Sequence, residues 1–355
     1  MNSTQCIGID ISKDTFTACL CLRDSSGDLD FTKVESFANE KTGFNQLMRW
    51  AKKYVKTEYS LSFLMEATGV YHENLAHHLH KIKKEVHVVL PNKSHHYFRS
   101  LNVKSKTDEL DARVLARFGV ERNHPSWRPA DPVLGELRNL TRYLDQLKRH
   151  KTSLSNQQHS KEYSAEMQQH ILKSNKKLIT ATQKEIDATQ KQIEKLIKST
   201  PWLKEKIDKL TTIKGVGIQT VATVVAETKG FQDITNAKQL TSFAGLDVVY
   251  HLSGTSINRQ TRISKKGNPY IRSALYYPGM VASRHNLELK AFYTRIIQRK
   301  PAKMIGQVAV QRKLLLLMYA LWKKDEVYIP NYKNKTARTK EERAARDRSV
   351  ADLHC

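Results

Sequence analysis

The chain has 355 residues, enough for two or three domains with real cores. Its four cysteines, Cys6, Cys19, Cys21 and Cys355, form no CxxC pair and no zinc spacing, which excludes a disulfide-stapled miniprotein and a zinc knuckle. Sixty Lys and Arg against 35 Asp and Glu leave a net charge of +25, which points to a polyanionic partner. Nucleic acid comes first, because counterion release rewards many contacts to phosphate, and an anionic membrane second.

The amino terminus, Met1-Asn2-Ser3-Thr4-Gln5, carries no signal pattern, and the longest apolar run, Leu314 to Trp322, is too short to span a bilayer. A cytoplasmic protein in a reducing compartment, with no membrane partner, is expected.

Residues 5 to 22 alternate as two β-rich runs around a turn near Ser12-Lys13-Asp14, which predicts a hairpin. Asp10 ends the first run, where a charge is costly unless it is paired, hydrated or bound to metal. Thr32 to Phe37 predicts a third strand, and Thr42 to Tyr54 a helix with Phe44, Leu47 and Met48 on one face. Leu61 to Met65 is another apolar strand, again closed by a carboxylate, Glu66. A helix over Tyr71 to Ile82 and a strand over Val86 to Leu90, closed by Pro91, follow. A basic segment through Arg99, Lys104 and Lys106 then leads to Lys106-Thr107-Asp108-Glu109-Leu110-Asp111-Ala112-Arg113.

In that stretch Asp108 and Asp111 stand three residues apart at a helix start and share a face. Antiparallel strands followed by alternating strands and helices predict a mixed sheet with helices packed on it, the α/β pattern of an RNase H-like fold, over residues 1–128. Such a sheet would let Asp10 and Glu66 approach on neighbouring strands with the Asp108/Asp111 helix across them. Four carboxylates there suit Mg²⁺ or Mn²⁺ and phosphoryl transfer. The alternative is an ordinary acidic helix start, favoured by the helix dipole.

Residues 132–200 are rich in Gln, Lys and Leu. Leu137, Leu140, Leu144, Leu147 and Leu154, then Ile179, Ile186, Ile193 and Leu196, keep a coiled-coil spacing. A long helical hairpin or a dimerising arm is expected, its lysines either solvated or touching nucleic acid.

After Pro201, Leu210 to Thr228 predicts helix, Gly-Val-Gly turn, helix. In such a helix-hairpin-helix Gly215 and Gly217 offer backbone N–H groups to a phosphate and Lys214 adds charge; the alternative is a tight turn between core helices. Further on, Ser253-Gly254 precedes Ser256, Arg259, Arg262, Lys265, Lys266 and Arg272. A hydroxyl on a flexible backbone followed by a cationic cluster can bind phosphate and stabilise charge on phosphorus under serine attack, although Ser-Gly by itself marks a turn. Residues 283 to 329 predict helices with an apolar stripe through Val308, Leu314, Leu315 and Met318, and 331–355 a flexible polar tail. His72, His77, His78, His80, His95 and His96 lack a Cys partner or HExxH spacing and are expected on the surface or facing RNA.

Taken together, Gly8-Ile9-Asp10-Ile11-Ser12-Lys13, Met65-Glu66-Ala67-Thr68-Gly69, Lys106-Thr107-Asp108 with Asp111-Ala112-Arg113, Phe243-Ala244-Gly245-Leu246, Ser253-Gly254 and Ser264-Lys265-Lys266-Gly267-Asn268 with Arg272 resemble the DEDD-type transposases and recombinases of insertion sequences, the Piv-like family guided by a bridge RNA. The resemblance runs to about residue 325, and departs where the family typically has proline and this chain has Val248. It implies a RuvC-like domain with a metal-holding catalytic quartet Asp10, Glu66, Asp108 and Asp111. It also implies a mostly α C-terminal transposase domain over 201–330, whose serine nucleophile maps onto Ser253, with Ser256 as the nearby alternative.

The implied activity is DNA strand cleavage, exchange and rejoining through a covalent phosphoserine. Its partners would be donor and target DNA, a structured non-coding guide RNA, and further copies of the chain in a dimer or tetramer. A Holliday-junction resolvase or another RNase H-like nuclease using water, and a non-catalytic nucleic-acid-binding protein, stay open as alternatives.

Overall fold

The structure is a computed structural model. It describes residues 4–102, 105, 107–165, 168–253, 257–299 and 302–330, with the backbone alone at 251–253 and 257–260. Lys106, Ser256 and the expected tail at 331–355 lie outside the described residues. The fold is mixed α/β and mostly helical, and it divides into two compact units, Met1–Pro129 and Ala130–Cys355.

The first unit is built on one sheet. Strand β1 (Thr4–Ile11) pairs antiparallel with β2 (Thr15–Arg23), which carries both β3 (Leu29–Phe31) and β4 (Glu35–Ala38). Of the strand expected at Thr32 to Phe37 only β4 is found, beginning at Glu35, and the short β3 ends just before the expected span, at Phe31. At Thr32 the backbone N–H still donates to the Leu20 carbonyl at 3.0 Å, but the Leu20 N–H goes to the Thr32 hydroxyl at 3.1 Å rather than to a backbone carbonyl, and the regular ladder stops there. After α1 (Lys41–Tyr54), β5 (Ser60–Glu66) lies parallel to β1. After α2 (Glu73–Lys81), β6 (Glu85–Val89) lies parallel to β5, giving the order β3-β2-β1-β5-β6.

Where the sequence suggested only a basic segment, Pro91–Ser100 forms helix α3. The proline that stops β6 also starts this helix, since at the first helical position its missing N–H costs nothing and its φ is already helical. Helix α4 (Asp108–Glu121) follows, capped by the Thr107 hydroxyl, which accepts the Leu110 N–H at 3.2 Å, with Asp108, Glu109 and Asp111 in its first turn.

The period of two along the strands fills both faces of the sheet. Ile7, Ile9 and Ile11 of β1 join Phe63 and Met65 of β5 and Phe44 and Leu47 of α1 in one core. Cys6 and Leu64 join Ala112, Leu115 and Ala116 of α4 in the other. The thiols of Cys6, Cys19 and Cys21 are free and buried there, and burial pushes the Cys6 thiol up to about 12, so they act as small apolar packing.

The second unit opens with α5 (Pro132–Glu162) and α6 (Gln169–Ser199), 31 residues each, folded back as a hairpin. Leu137, Leu144 and Leu147 meet Ile186, Ile193 and Ile197 in one core. Farther out the seam is polar, with Asn175 donating to the Leu154 carbonyl at 2.9 Å and to Gln158 at 3.1 Å. The heptads are thus satisfied within one chain.

Then come α7 (Pro201–Thr211), α8 (Ile218–Glu227), α9 (Ala237–Phe243), and a two-stranded hairpin of β7 (Val248–Ser253) and β8 (Ile257–Ile263). Four helices close the unit: α10 (Pro269–Ala274), α11 (Tyr276–His285), α12 (Leu287–Arg299) and α13 (Lys303–Lys324). Among the described residues, α13 alone is long and apolar enough to cross a membrane by length and composition. It buries Val310, Leu314, Leu315 and Met318 together with Gln307 and Gln311, which is how the central helix of a packed core looks.

Candidate functional site

The first candidate site follows from strand periodicity. Asp10 continues the series Cys6, Gly8, and Glu66 continues Leu64, so both carboxylates point to the face covered by α4. β1 and β5 are parallel with Ile9 opposite Met65, so Asp10 and Glu66 close adjacent strands at the same level.

Glycine then sets how near the helix comes. A Cβ on Gly8 would lie 2.0 Å from the Ala116 nitrogen and 2.4 Å from the Ala112 oxygen, and one on Gly119 would lie 2.1 Å from the Cys6 sulfur. Helix α4 therefore runs antiparallel to β1 in backbone contact. At about 1.5 Å per helical residue against about 3.3 Å per strand residue, its first turn reaches the level of Asp10. Asp111 is 9% exposed on the sheet side, while Asp108 is exposed at the helix head.

Among the described residues, no three His, Cys, Asp or Glu side chains already form a metal-binding group. What the fold supplies is the C-terminal ends of the central strands β1 and β5, with Asp10 and Glu66, on the face that α4 crosses. The donor set, carboxylate oxygens only, fits a hard cation such as Mg²⁺ or Mn²⁺.

Gly8→Ala tests that placement. It is expected to push α4 off β1 and cost about 2–3 kcal/mol, the usual scale of core overpacking. Gly135→Ala in α5, where a Cβ meets open space, should instead stabilise by about 0.5–1 kcal/mol. Thermal melting of the two variants beside the parent chain checks both signs.

Two polar residues that sequence reading did not single out, Ser94 and Asn39, support this end of the sheet. The Ser94 hydroxyl on α3 donates to Glu66 Oε2 at 2.6 Å, and the Thr68 hydroxyl donates to Oε1 at 3.4 Å. Asn39 Nδ2 donates to the Ser12 carbonyl at 2.9 Å and the Tyr71 carbonyl at 3.1 Å, tying the turn after Asp10 to the loop after Glu66. No motif or period marks either residue, because each acts across 27 or more positions of sequence. The histidines meet the expectation of a surface position except at His72 and, in part, His78. His77, His80, His95 and His96 are exposed as expected, with His77 and His80 edge-on to Trp127 at 5.1 and 6.0 Å, whereas His72 is buried.

In the second unit, Ser253 is the last residue of β7, paired with Ile257 across the hairpin. The surrounding motif residues build the base of that hairpin. Gly245 adopts φ +66°, and a Cβ on Gly267 would lie 2.3 Å from the Gly245 nitrogen, so the two glycine loops interlock. The Ser264 hydroxyl donates to Asp247 at 2.5 Å. Asn268 caps α10 by accepting the Tyr270 N–H at 2.9 Å, and donates to Glu227 at 2.6 Å. Glu227, nearly inaccessible, receives a bidentate fork from Arg142 of α5 at 2.6 and 2.8 Å. One charge-assisted network therefore ties the helical hairpin, α8 and the loop below Ser253.

The proposed phosphate contacts divide. Arg262, Lys265 and Lys266 are exposed beside the hairpin, and Lys214 is exposed at the turn before α8. Arg272 is turned inward. Its Nη1 donates to the carbonyls of Ala244, Gly267 and Asn268 at 2.8–3.2 Å, and burial holds its pKa below the ordinary value, so its described role is to clamp the loop. Arg113 lies over the Phe31 ring at 5.0 Å. Gly215, at φ +99°, is explained by the turn itself and by a close approach to Ala282. Gly217 faces open space at the N-cap of α8 and remains available to a ligand. The side chains of Ser253 and Arg259 lie outside the described residues.

Two family models match the chain. A DEDD transposase model of the IS110 type covers residues 7–161, and one described as transposase IS116/IS110/IS902 family covers 207–294. The pilin gene-inverting protein of Moraxella bovis is 32% identical over 316 residues, 89% of this chain and 94% of that protein. That of Moraxella lacunata is 32% identical over 319 residues, with the same shares. The transposase for insertion sequence element IS1111A of Coxiella burnetii is 26% identical over 140 residues, 38% of each chain. With both halves matched in order and similarity running through nearly the whole length, the chain belongs to the IS110 family of transposases.

Proposed function

We propose that this transposase cleaves and rejoins DNA by metal-assisted phosphoryl transfer, with a RuvC-like, RNase H-like first unit holding the cation and Ser253 of the second unit as nucleophile. The observation that carries the reading is the placement of Asp10 and Glu66 on one face of adjacent parallel strands, beneath the acidic head of α4. The strand order β3-β2-β1-β5-β6, with β1 to β3 antiparallel and β5 and β6 parallel to β1, is the order such a domain needs.

Asp10, Glu66, Asp108 and Asp111 would hold Mg²⁺ or Mn²⁺. When bound, such a cation neutralises phosphate charge and lowers the pKa of an oxygen nucleophile. The Ser253 oxygen attacks phosphorus and loses its proton, the phosphorus–deoxyribose oxygen bond breaks, and the leaving oxygen takes up a proton. The phosphoserine so formed keeps the energy of the phosphodiester, so a second strand can be joined without ATP. Both groups must reach one phosphodiester, and in this reading they do so within a dimer or tetramer.

Sequence choice is assigned to a structured guide RNA pairing with donor and target DNA. The net charge of +25, with exposed Lys214, Arg262, Lys265 and Lys266, suits a protein that reads phosphate backbone rather than base edges. The test is cleavage of element-end DNA by the full chain as purified. Chelation is expected to abolish it and Mg²⁺ or Mn²⁺ to restore it, and ribonuclease treatment to remove site choice. Cleavage in chelator overturns the metal role; a specific, RNA-free preparation overturns the guide.

A further inference from the structure

Ser94 is fully buried on the first turns of α3, and its hydroxyl stands 2.6 Å from Glu66 Oε2. The carbonyls of Pro91 and Leu90 lie farther from it, at 3.0 and 3.5 Å. A hydroxyl has one proton, and the shorter contact, to an ionisable carboxylate, is the stronger claim on it. We propose that Ser94 is a positioning residue for the transposition reaction, fixing the Glu66 carboxylate so that Oε1 is the oxygen presented to a divalent cation. The proposal rests on the metal reading of Glu66 given above.

Three features of the fold support it. Glu66 is the last residue of β5, where its backbone is held by the Glu66 to Val89 register with β6 and by the Ala67 N–H on the Val89 carbonyl at 2.8 Å. That pins the main chain and leaves the side-chain torsions to be set by contacts. The second point is that β6 runs directly into α3 through Leu90 and Pro91, so the element that registers Glu66 also delivers Ser94 to it. The third is burial. A serine with no exposure, surrounded by the core that contains Val89 and Tyr97, has one rotamer's worth of room and holds its acceptor in one orientation. With Oε2 occupied, the other oxygen carries the long 3.4 Å contact from Thr68, which a cation can replace at little cost. Groups that orient a ligand in this way commonly change metal affinity by about 10- to 100-fold when removed.

The experiment measures Mn²⁺ binding to the full chain by paramagnetic resonance without added DNA, on identically prepared parent, Glu66→Gln, Ser94→Ala and Ser94→Cys proteins. Glu66→Gln defines the share of binding that belongs to the site. Ser94→Ala is expected to weaken that share about 10-fold or more and to raise the half-saturating Mn²⁺ for cleavage in proportion, with Ser94→Cys, an isosteric but weaker donor, between the two. If Ser94→Ala does not fold, Ser94→Cys carries the comparison. Parent-like Mn²⁺ affinity in the Ser94 variants, with the site share lost in Glu66→Gln, overturns the positioning role and leaves the metal reading standing. Parent-like affinity in Glu66→Gln overturns both.

Discussion

Ser253→Ala is expected to lower strand cleavage and joining by roughly 10⁴-fold or more, the scale on which removing a covalent nucleophile acts, and to leave no protein bound covalently to DNA. The measurement is a denaturing gel of radiolabelled element-end DNA, in which the parent chain is expected to retain label as a phosphoserine adduct. The substitution removes one oxygen at the end of β7, and the base of that hairpin is held elsewhere, by Ser264 on Asp247, Asn268 on Glu227 and the Arg272 clamp, so the fold should be unaffected. Retained strand transfer without an adduct would return the chemistry to water, as in a resolvase. Ser256→Ala beside it assigns the nucleophile between the two serines.

Asp10→Asn is the second large effect. It keeps the size of the side chain at the end of β1 and takes away one charge from the four carboxylates, so cleavage should fall about 10³-fold, equivalent to about 4 kcal/mol of transition-state stabilisation. Binding of DNA and RNA should persist, because that affinity comes from phosphate contacts by lysines and arginines. A filter-binding titration across salt concentrations, run beside the cleavage assay, separates the two. Unchanged recombination in Asp10→Asn would mean that the first unit binds nucleic acid without performing chemistry there.

Much of the first unit was readable because a strand with one face to each of two cores leaves a period-two signature, and because carboxylates at the ends of apolar strands are conspicuous. Asp10 and Glu66 stood out for that reason. The break between β3 and β4 was not readable, since it lies where the Thr32 hydroxyl takes the Leu20 N–H across the sheet. Helix α3 was missed because Pro91 ends a strand as readily as it begins a helix, and only the chain beyond it decides which. The basic motif after Ser253 was read as phosphate-binding throughout. Arg272, half-buried against three carbonyls, shows how an arginine in such a motif can serve the loop.

By itself, the sequence determined composition, charge, the periodicity of each element and the order of the motifs, and these were enough to point to a nucleic-acid enzyme of this family. Tertiary structure alone decided the distances. That Gly8 admits the backbone of α4, that Ser94 meets Glu66, and that Glu227 gathers Arg142 and Asn268 are contacts between residues 28 to 108 positions apart. Local propensity carries no information about such pairs, because their energy exists only once packing has brought them together.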